Sequence, residues 1–218
     1  MDKKIPLRVL IADDHTAIRL GIAHALKVRF DADFTEARDA RGALEQARNH
    51  PFDLILLDIT MPGRSGLDIL PDLKIARPRT PILVVSMHGE EQFALRVLRA
   101  GAAGFISKSA LADELLAAVE RVLSGRRYVS ESLGEWLASA FVQGAPRSSQ
   151  ETLSTREFEI LRMIAAGKSG KEIAAELSLS YKTVSTYRTR ILQKLGLRTN
   201  HDLREYALRE RLLEDSAV

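Results

Sequence analysis

Residues able to handle a phosphoryl group or a hard cation stand at the ends of four short apolar runs. Arg8-Val9-Leu10-Ile11-Ala12 leads into Asp13-Asp14, and Asp53-Leu54-Ile55-Leu56-Leu57 leads into Asp58. Pro81-Ile82-Leu83-Val84-Val85 leads into Ser86, and Ala103-Gly104-Phe105-Ile106-Ser107 leads into Lys108. If these runs are parallel strands of one sheet, their carboxyl ends share an edge, which is where open α/β sheets bind ligands. Three carboxylates, a hydroxyl and a lysine from four distant segments would then converge. Three clustered carboxylates repel one another unless a cation joins them, and a hard, oxygen-rich site suits Mg2+. Asp58 would be the nucleophile that takes a phosphoryl group as an acyl phosphate. Lys108 would supply a mobile point charge for the phosphoryl oxygens, and Ser86 a hydroxyl.

Positioning these groups requires alternating strands and helices. Strand-like runs near 7–12, 32–37, 53–57, 81–85 and 103–107 alternate with amphipathic segments near 15–28, 39–49, 66–76, 90–100 and 110–123. The run over 32–37 ends without an obvious reactive group. This rhythm argues for βαβ units and a doubly wound, five-stranded parallel sheet covered on both faces. Gly101 and Gly125 punctuate the fourth and fifth helices, where left-handed caps are expected.

After Gly125 the strand signal stops. Residues 130–142 read as a short helix, and Gly144-Ala145-Pro146-Arg147-Ser148-Ser149-Gln150 as a linker. The expected division is a first domain over 1–125, a linker including that helix over 126–149, and a small all-α domain over 150–218. In the last part, Ser154-Thr155-Arg156-Glu157 and Ser169-Gly170-Lys171-Glu172 are capping boxes opening two helices. A short link through Ser178-Leu179-Ser180 leads to a third helix ending at Gly196, which makes a helix-turn-helix.

Charge separates the two halves. Residues 1–125 carry 17 Lys/Arg against 17 Asp/Glu, and the remainder carries 15 against 12, so the whole net charge of +3 lies in the second half. From Ser178 to His201 there is no acid. On the third helix Val184, Tyr187, Ile191 and Leu195 fall on one face, with Lys182, Ser185, Thr186, Thr189, Arg190 and Gln193 opposite. Hydroxyls and an amide suit base edges and cations suit phosphates, so this face is expected to enter a DNA major groove.

The chain resembles two-component response regulators of the NarL/FixJ class: a receiver domain with a LuxR-type helix-turn-helix. The resemblance rests on Asp13-Asp14, Asp58-Ile59-Thr60-Met61-Pro62-Gly63, Ser86 and Lys108, then Leu153-Ser154-Thr155-Arg156-Glu157, Lys171-Glu172-Ile173-Ala174, Thr183-Val184-Ser185-Thr186-Tyr187-Arg188 and Lys194-Leu195-Gly196-Leu197. It implies a flavodoxin-like first domain that binds Mg2+ directly through Asp14, Asp58 and the Thr60 main-chain carbonyl, and partly through water at Asp13. It also implies a partner histidine kinase, and Phe105 as the aromatic that turns inward when Ser86 moves; the other reading of Phe105 is a plain core residue. Base-proximal positions fall on Ser185, Thr186 and Thr189, with Lys182, Arg188, Arg190, Gln193 and Lys194 completing the contact to double-stranded DNA. Homodimers are expected to form through Leu203, Tyr206 and Ala207 of the last helix, with Leu213 extending the stripe. Its other reading is packing onto the domain's own helices.

The chain departs from the family pattern at several positions. Ser109 stands where many receivers have a cis-proline, so a trans peptide is expected there. Phe105 has no hydroxyl, and Ser185 and Tyr187 stand where a Lys and a His are common. Gly170 replaces a frequent Asn with no evident consequence. His15 reads as a site-edge or capping residue, since Mg2+ prefers oxygen. Absence of cysteine excludes disulfides and thiol catalysis. With no long apolar segment at its start, the expectation is a cytoplasmic protein. Two other classes use part of the same pattern. A Mg2+-dependent small-molecule phosphatase or phosphotransferase would turn over a phosphoester repeatedly, and a phosphorylation-independent DNA-binding adaptor would not be labelled at all.

Overall fold

The computed structural model describes residues 6–86, 90–142, 153–177, 179–210 and 212. The linker read at 144–150, the turn residue Ser178 and the stripe residue Leu213 lie outside them. The chain divides into two compact units, 1–144 and 145–218.

The first unit alternates strand and helix: β1 Leu7–Ala12, α1 Thr16–Arg29, β2 Ala32–Ala37, α2 Ala40–Asn49, β3 Leu54–Asp58, α3 Gly66–Ala76, β4 Ile82–Ser86, α4 Glu90–Arg99, β5 Gly104–Ser107, α5 Leu111–Leu123 and α6 Glu131–Val142. All five strands pair in parallel in the order β2-β1-β3-β4-β5. The order reverses between β1 and β3, which makes that gap the switch point at which such sheets hold ligands. Strand alternation divides the core. Val9, Ile11, Leu54, Leu56, Leu83, Val85 and Ile106 pack with Ile22 and Leu26 of α1 and Leu115, Ala118, Val119 and Val122 of α5. The intervening residues Leu10, Ile55, Leu57, Val84 and Phe105 are buried as well, which is why β3 and β4 have no exposed position. Gly101 and Gly125 have φ of 98° and 78°, as their cap positions require.

Residues 126–142, expected to begin the linker, belong instead to the first unit. Tyr128 pairs in parallel with Gly104 on the outer edge of β5. Its N–H donates to Ala103 O at 2.9 Å and its carbonyl accepts from Phe105 N at 3.3 Å. α6 then packs against α4 with Leu133 buried. Backbone pairing of this kind leaves little trace in side-chain periodicity, so the segment read as connector.

The second unit contains α7 Thr155–Ala165, α8 Gly170–Glu176, α9 Tyr181–Leu195 and α10 Asn200–Arg209. Ser154, Ser169 and Thr199 each close a capping box, and Gly196 ends α9 in the left-handed region. α7 packs against both α9 and α10, and α8 against α9. Among the described residues no helix is long and apolar enough to cross a membrane.

Candidate functional site

Strand register brings the predicted groups to one end of the first unit's sheet. Asp13 and Asp14 leave β1 on one side of the switch point and Asp58 ends β3 on the other. Asp58 lies opposite Val85 and Ser86 opposite Ser107, so Ser86 and Lys108 each project one position beyond the preceding pair. Lys108 Nζ lies 2.7 Å from Asp13 Oδ2 and 2.9 Å from Asp58 Oδ2, with all three side chains buried. The Thr60 N–H donates to Asp58 Oδ1 at 3.1 Å. No cis peptide occurs among the described residues, so the Lys108–Ser109 bond is trans.

Burial pushes the Asp58 carboxyl up to about 6; the Lys108 ammonium opposes that rise and the Asp13 charge adds to it. Burial pulls Lys108 down, but Asp58 and Asp13 outweigh it and hold the ammonium above its ordinary value. One lysine does not neutralise three carboxylates. Oxygens of Asp13, Asp14 and Asp58, with a nitrogen of His15, lie within 4.8 Å of one another. Asp13 Oδ2 and Asp14 Oδ1 are buried atoms met only by the Lys108 ammonium and by His15 Nδ1, and Thr60 Oγ1 is buried with no hydrogen bond among the described residues. A hard divalent cation fits that donor set. His15 sits at the rim, its Nδ1 2.7 Å from Asp14 Oδ1, as a site-edge residue.

Close backbone approach shapes the floor of the site. A Cβ on Gly66 would lie 1.9 Å from the Asp58 carbonyl oxygen, so only glycine lets α3 begin against β3. The Gly66 N–H donates to Ile59 O at 2.8 Å, and Ser65 with Asp68 closes a capping box. Phe105, expected to turn inward on activation, is already fully buried.

Sequence reading missed Arg19 and Glu36. Arg19 is 0% exposed, on the same face of α1 as Ile22 and Leu26. Its Nε donates to Glu36 Oε2 at 2.6 Å, Nη1 to the Asp13 carbonyl at 2.8 Å and Nη2 to Thr16 Oγ1 at 3.1 Å. The run over 32–37 therefore does supply a charged partner near this end of the sheet, one residue short of its own end. The available signal was an arginine at an apolar position of the helical repeat.

In the second unit Lys182, Ser185, Thr186, Thr189, Arg190 and Gln193 form one exposed face of α9, while Val184 and Ile191 are buried. Thr186 and Thr189 donate their hydroxyl protons to the carbonyls of Lys182 and Ser185, which leaves oxygen lone pairs facing outward. Two of the expected cations are already engaged. Arg188 bonds Asn200 Oδ1, and Lys194 donates to Glu157 Oε2 at 2.6 Å, tying the last turn of α9 to the start of α7. Lys194 thus also has a structural partner within the unit. Leu203, Tyr206 and Ala207, expected as a dimer stripe, are buried in the unit's own core, because α10 turns that face onto α7. Gly170 also acquires a reason: a Cβ there would meet the Tyr181 ring at 2.8 Å. Tyr181, 62% exposed at the start of α9, was not anticipated.

Comparison with known proteins agrees in both units. The response regulator receiver domain model matches residues 9–120, and that of the bacterial regulatory proteins of the luxR family matches residues 151–207. The oxygen regulatory protein NreC of Staphylococcus aureus (strain JH9) is 38% identical over 216 residues, covering 95% of this chain and 100% of NreC. Among solved structures, RcsB from Salmonella enterica serovar Typhimurium bound to promoter rprA in the presence of phosphomimetic BeF3− superposes with a TM-score of 0.60 at 26% identity. That match covers 93% of this chain and 98% of that one. A LuxR-family two-component response regulator from Aurantimonas sp. SI85-9A1 gives a TM-score of 0.59 at 31% identity over 63% of this chain and 99% of its own. Fold, acidic site, helix-turn-helix and relatives agree: the chain belongs to the two-component response regulators of the NarL/FixJ class, with a receiver domain followed by a LuxR-type DNA-binding domain.

Proposed function

We propose that this protein is a phosphorylation-controlled, DNA-binding transcription regulator whose phosphoacceptor is Asp58, acting in the cytoplasm with a partner histidine kinase. The observation that carries this reading is the buried Asp13–Lys108–Asp58 cluster at the switch point, in a chain that also presents an acid-free helix face. A carboxylate oxygen of Asp58 attacks the phosphorus of a phosphohistidine. The new O–P bond forms as the N–P bond breaks, and the imidazole leaves with the electron pair. The product is an acyl phosphate, which water later removes slowly.

Asp13, Asp14, Asp58 and the Thr60 main-chain carbonyl would hold Mg2+. When bound, that ion offsets negative charge on the transferring phosphoryl oxygens. Lys108 exchanges its contact with the Asp58 carboxylate for one with a phosphoryl oxygen, and Ser86 donates its hydroxyl to another. The rearranged end of β4 bears on Phe105 of β5 and shifts a pre-existing equilibrium towards the homodimer and towards DNA. Lys182, Ser185, Thr186, Thr189, Arg190 and Gln193 then face double-stranded DNA, with Arg188 at the edge of the same face.

Acetyl phosphate with Mg2+ tests the reading directly. Mass spectrometry should find one added phosphoryl group on the wild type and none on Asp58→Asn. Footprinting at a fixed salt concentration should tighten with the phosphodonor only in the wild type. Equal binding by the unlabelled Asp58→Asn variant would leave the protein a phosphorylation-independent adaptor.

A further inference from the structure

We propose that Arg19, braced by Glu36, is a positioning residue for the Asp13 carboxylate, through which β2 takes part in the cation site. This rests on the reading of Asp13 as a cation ligand. A buried guanidinium is costly unless its charge and donors are met, and here they are met by groups at the mouth of the site. The Asp13 peptide is tied on both sides. Its N–H donates to Ala37 O of β2 at 3.1 Å, and its carbonyl accepts from Arg19 Nη1 at 2.8 Å.

Glu36 fixes Arg19 from the far side at 2.6 Å. Thr16 Oγ1, in the first turn of α1, takes the remaining described bond. The N-cap of α1, His15, makes no side-chain capping bond, and its N–H donates to Asp13 Oδ1 at 2.8 Å, so the Asp13 carboxylate and Arg19 brace that turn together. A planar guanidinium with donors in a fixed fork holds three acceptors at set angles, which an ammonium on a flexible stem does not do. The side chain touches no substrate. It fixes the main chain from which the Asp13 carboxylate projects, while the His15 N–H and Lys108 Nζ meet the carboxylate itself at 2.8 and 2.7 Å, and it places a positive charge behind a cluster of negative ones.

The test uses the full chain as wild type, Arg19→Lys and Glu36→Ala. Mn2+ affinity is read by water-proton relaxation, and the Mg2+ dependence of labelling by acetyl phosphate is read alongside thermal unfolding. Loss of second-sphere support lowers metal affinity by about 10–100-fold, and that is the expectation for Arg19→Lys. Glu36→Ala should lose at least about threefold, and the Mg2+ concentration for half-maximal labelling should rise in step for both. Glu36 is 43% exposed, so water can reach Arg19 Nε when its carboxylate is removed, and the thermal unfolding of this variant shows whether it decides the matter where Arg19→Lys does not fold. Wild-type Mn2+ affinity in the folded variants, with only the unfolding temperature lowered, would make Arg19 a packing residue and overturn the proposal. A wild type that neither binds Mn2+ nor takes label would remove the proposed function itself, and this inference with it.

Discussion

Lys194, near the end of α9, donates to the buried carboxylate of Glu157, near the start of α7, at 2.6 Å. The same carboxylate accepts from the Ser154 N–H at 2.6 Å, so one side chain serves both a helix cap and an interhelical pair. Burial raises the Glu157 carboxyl, but the bonds from Lys194 and Ser154 outweigh it and hold it below the ordinary carboxylate range. Its contribution to stability is therefore present above the unfolded value and is lost as pH falls through the folded one.

Lys194→Met is accordingly expected to destabilise the second unit at pH 7. Removing one partner of a buried pair costs about 3–5 kcal/mol, and solvent around the 40% exposed ammonium reduces this to about 1–2 kcal/mol. The deficit should shrink below pH 4. Lys182→Ala should instead leave unfolding unchanged and lower the slope of log affinity against log salt by about 0.9, as loss of one phosphate contact does. Urea unfolding and salt-dependent DNA titration of the two variants separate the roles. Equal salt slopes would refute the division.

A different pH dependence follows for the acidic site without metal. Asp58 has a folded value of about 6, raised chiefly by burial. Its folded form holds a proton more tightly than the unfolded chain does, so its contribution to stability falls as pH rises between about 4 and 6. In EDTA, Asp58→Asn should be more stable than wild type by about 1–3 kcal/mol at pH 8, with the gap closing at pH 4. Saturating Mg2+ should raise the wild type more than the variant, because only an intact site gains binding free energy.

The contact between Gly66 and the Asp58 carbonyl predicts a sharp contrast between two glycines. Gly66→Ala forces backbone apart in a packed region, at a cost of about 1–3 kcal/mol or more. Labelling of the fraction that remains folded should fall at least tenfold. Gly21 lies within α1 with nothing inside 4 Å of its added Cβ, so Gly21→Ala should stabilise by about 0.5–1 kcal/mol. Denaturant titration with quantified phosphoryl uptake reads both.

Tyr181 and Gly170 make a smaller, more local prediction. Because the Tyr181 ring is exposed and free to swing out, Gly170→Ala should change stability by less than about 1 kcal/mol. It should nevertheless alter DNA affinity, since the displaced ring lies at the start of the groove-facing helix. Unchanged affinity at matched salt would show that Tyr181 stays clear of the duplex.

Much of this architecture is legible in the chain. Asp13, Asp58 and Lys108 are readable because parallel strands must end on one edge, and the α9 face because 3.6-residue periodicity sorts it without tertiary knowledge. Residues defined by a partner far along the chain are harder. Lys194 looks like any other cation of a basic helix until Glu157 is beside it. Leu203, Tyr206 and Ala207 make the same stripe whether they meet a second copy or α7. Arg19 breaks an apolar pattern, but only the folded β1–α1 turn supplies its acceptors.

Tyr128 on the edge of β5 has a consequence for the newly made protein. A five-stranded parallel sheet has two open edges, and an unpaired edge is a template on which another chain can add a strand. On one side the chain covers its own edge at Tyr128, and on the other β2 keeps exposed and half-exposed positions that include Asp33 and Glu36. A polypeptide still short of residue 128 leaves β5 uncapped. Docking of the Tyr128 segment is therefore the step that closes this edge of the sheet against strand addition by another chain.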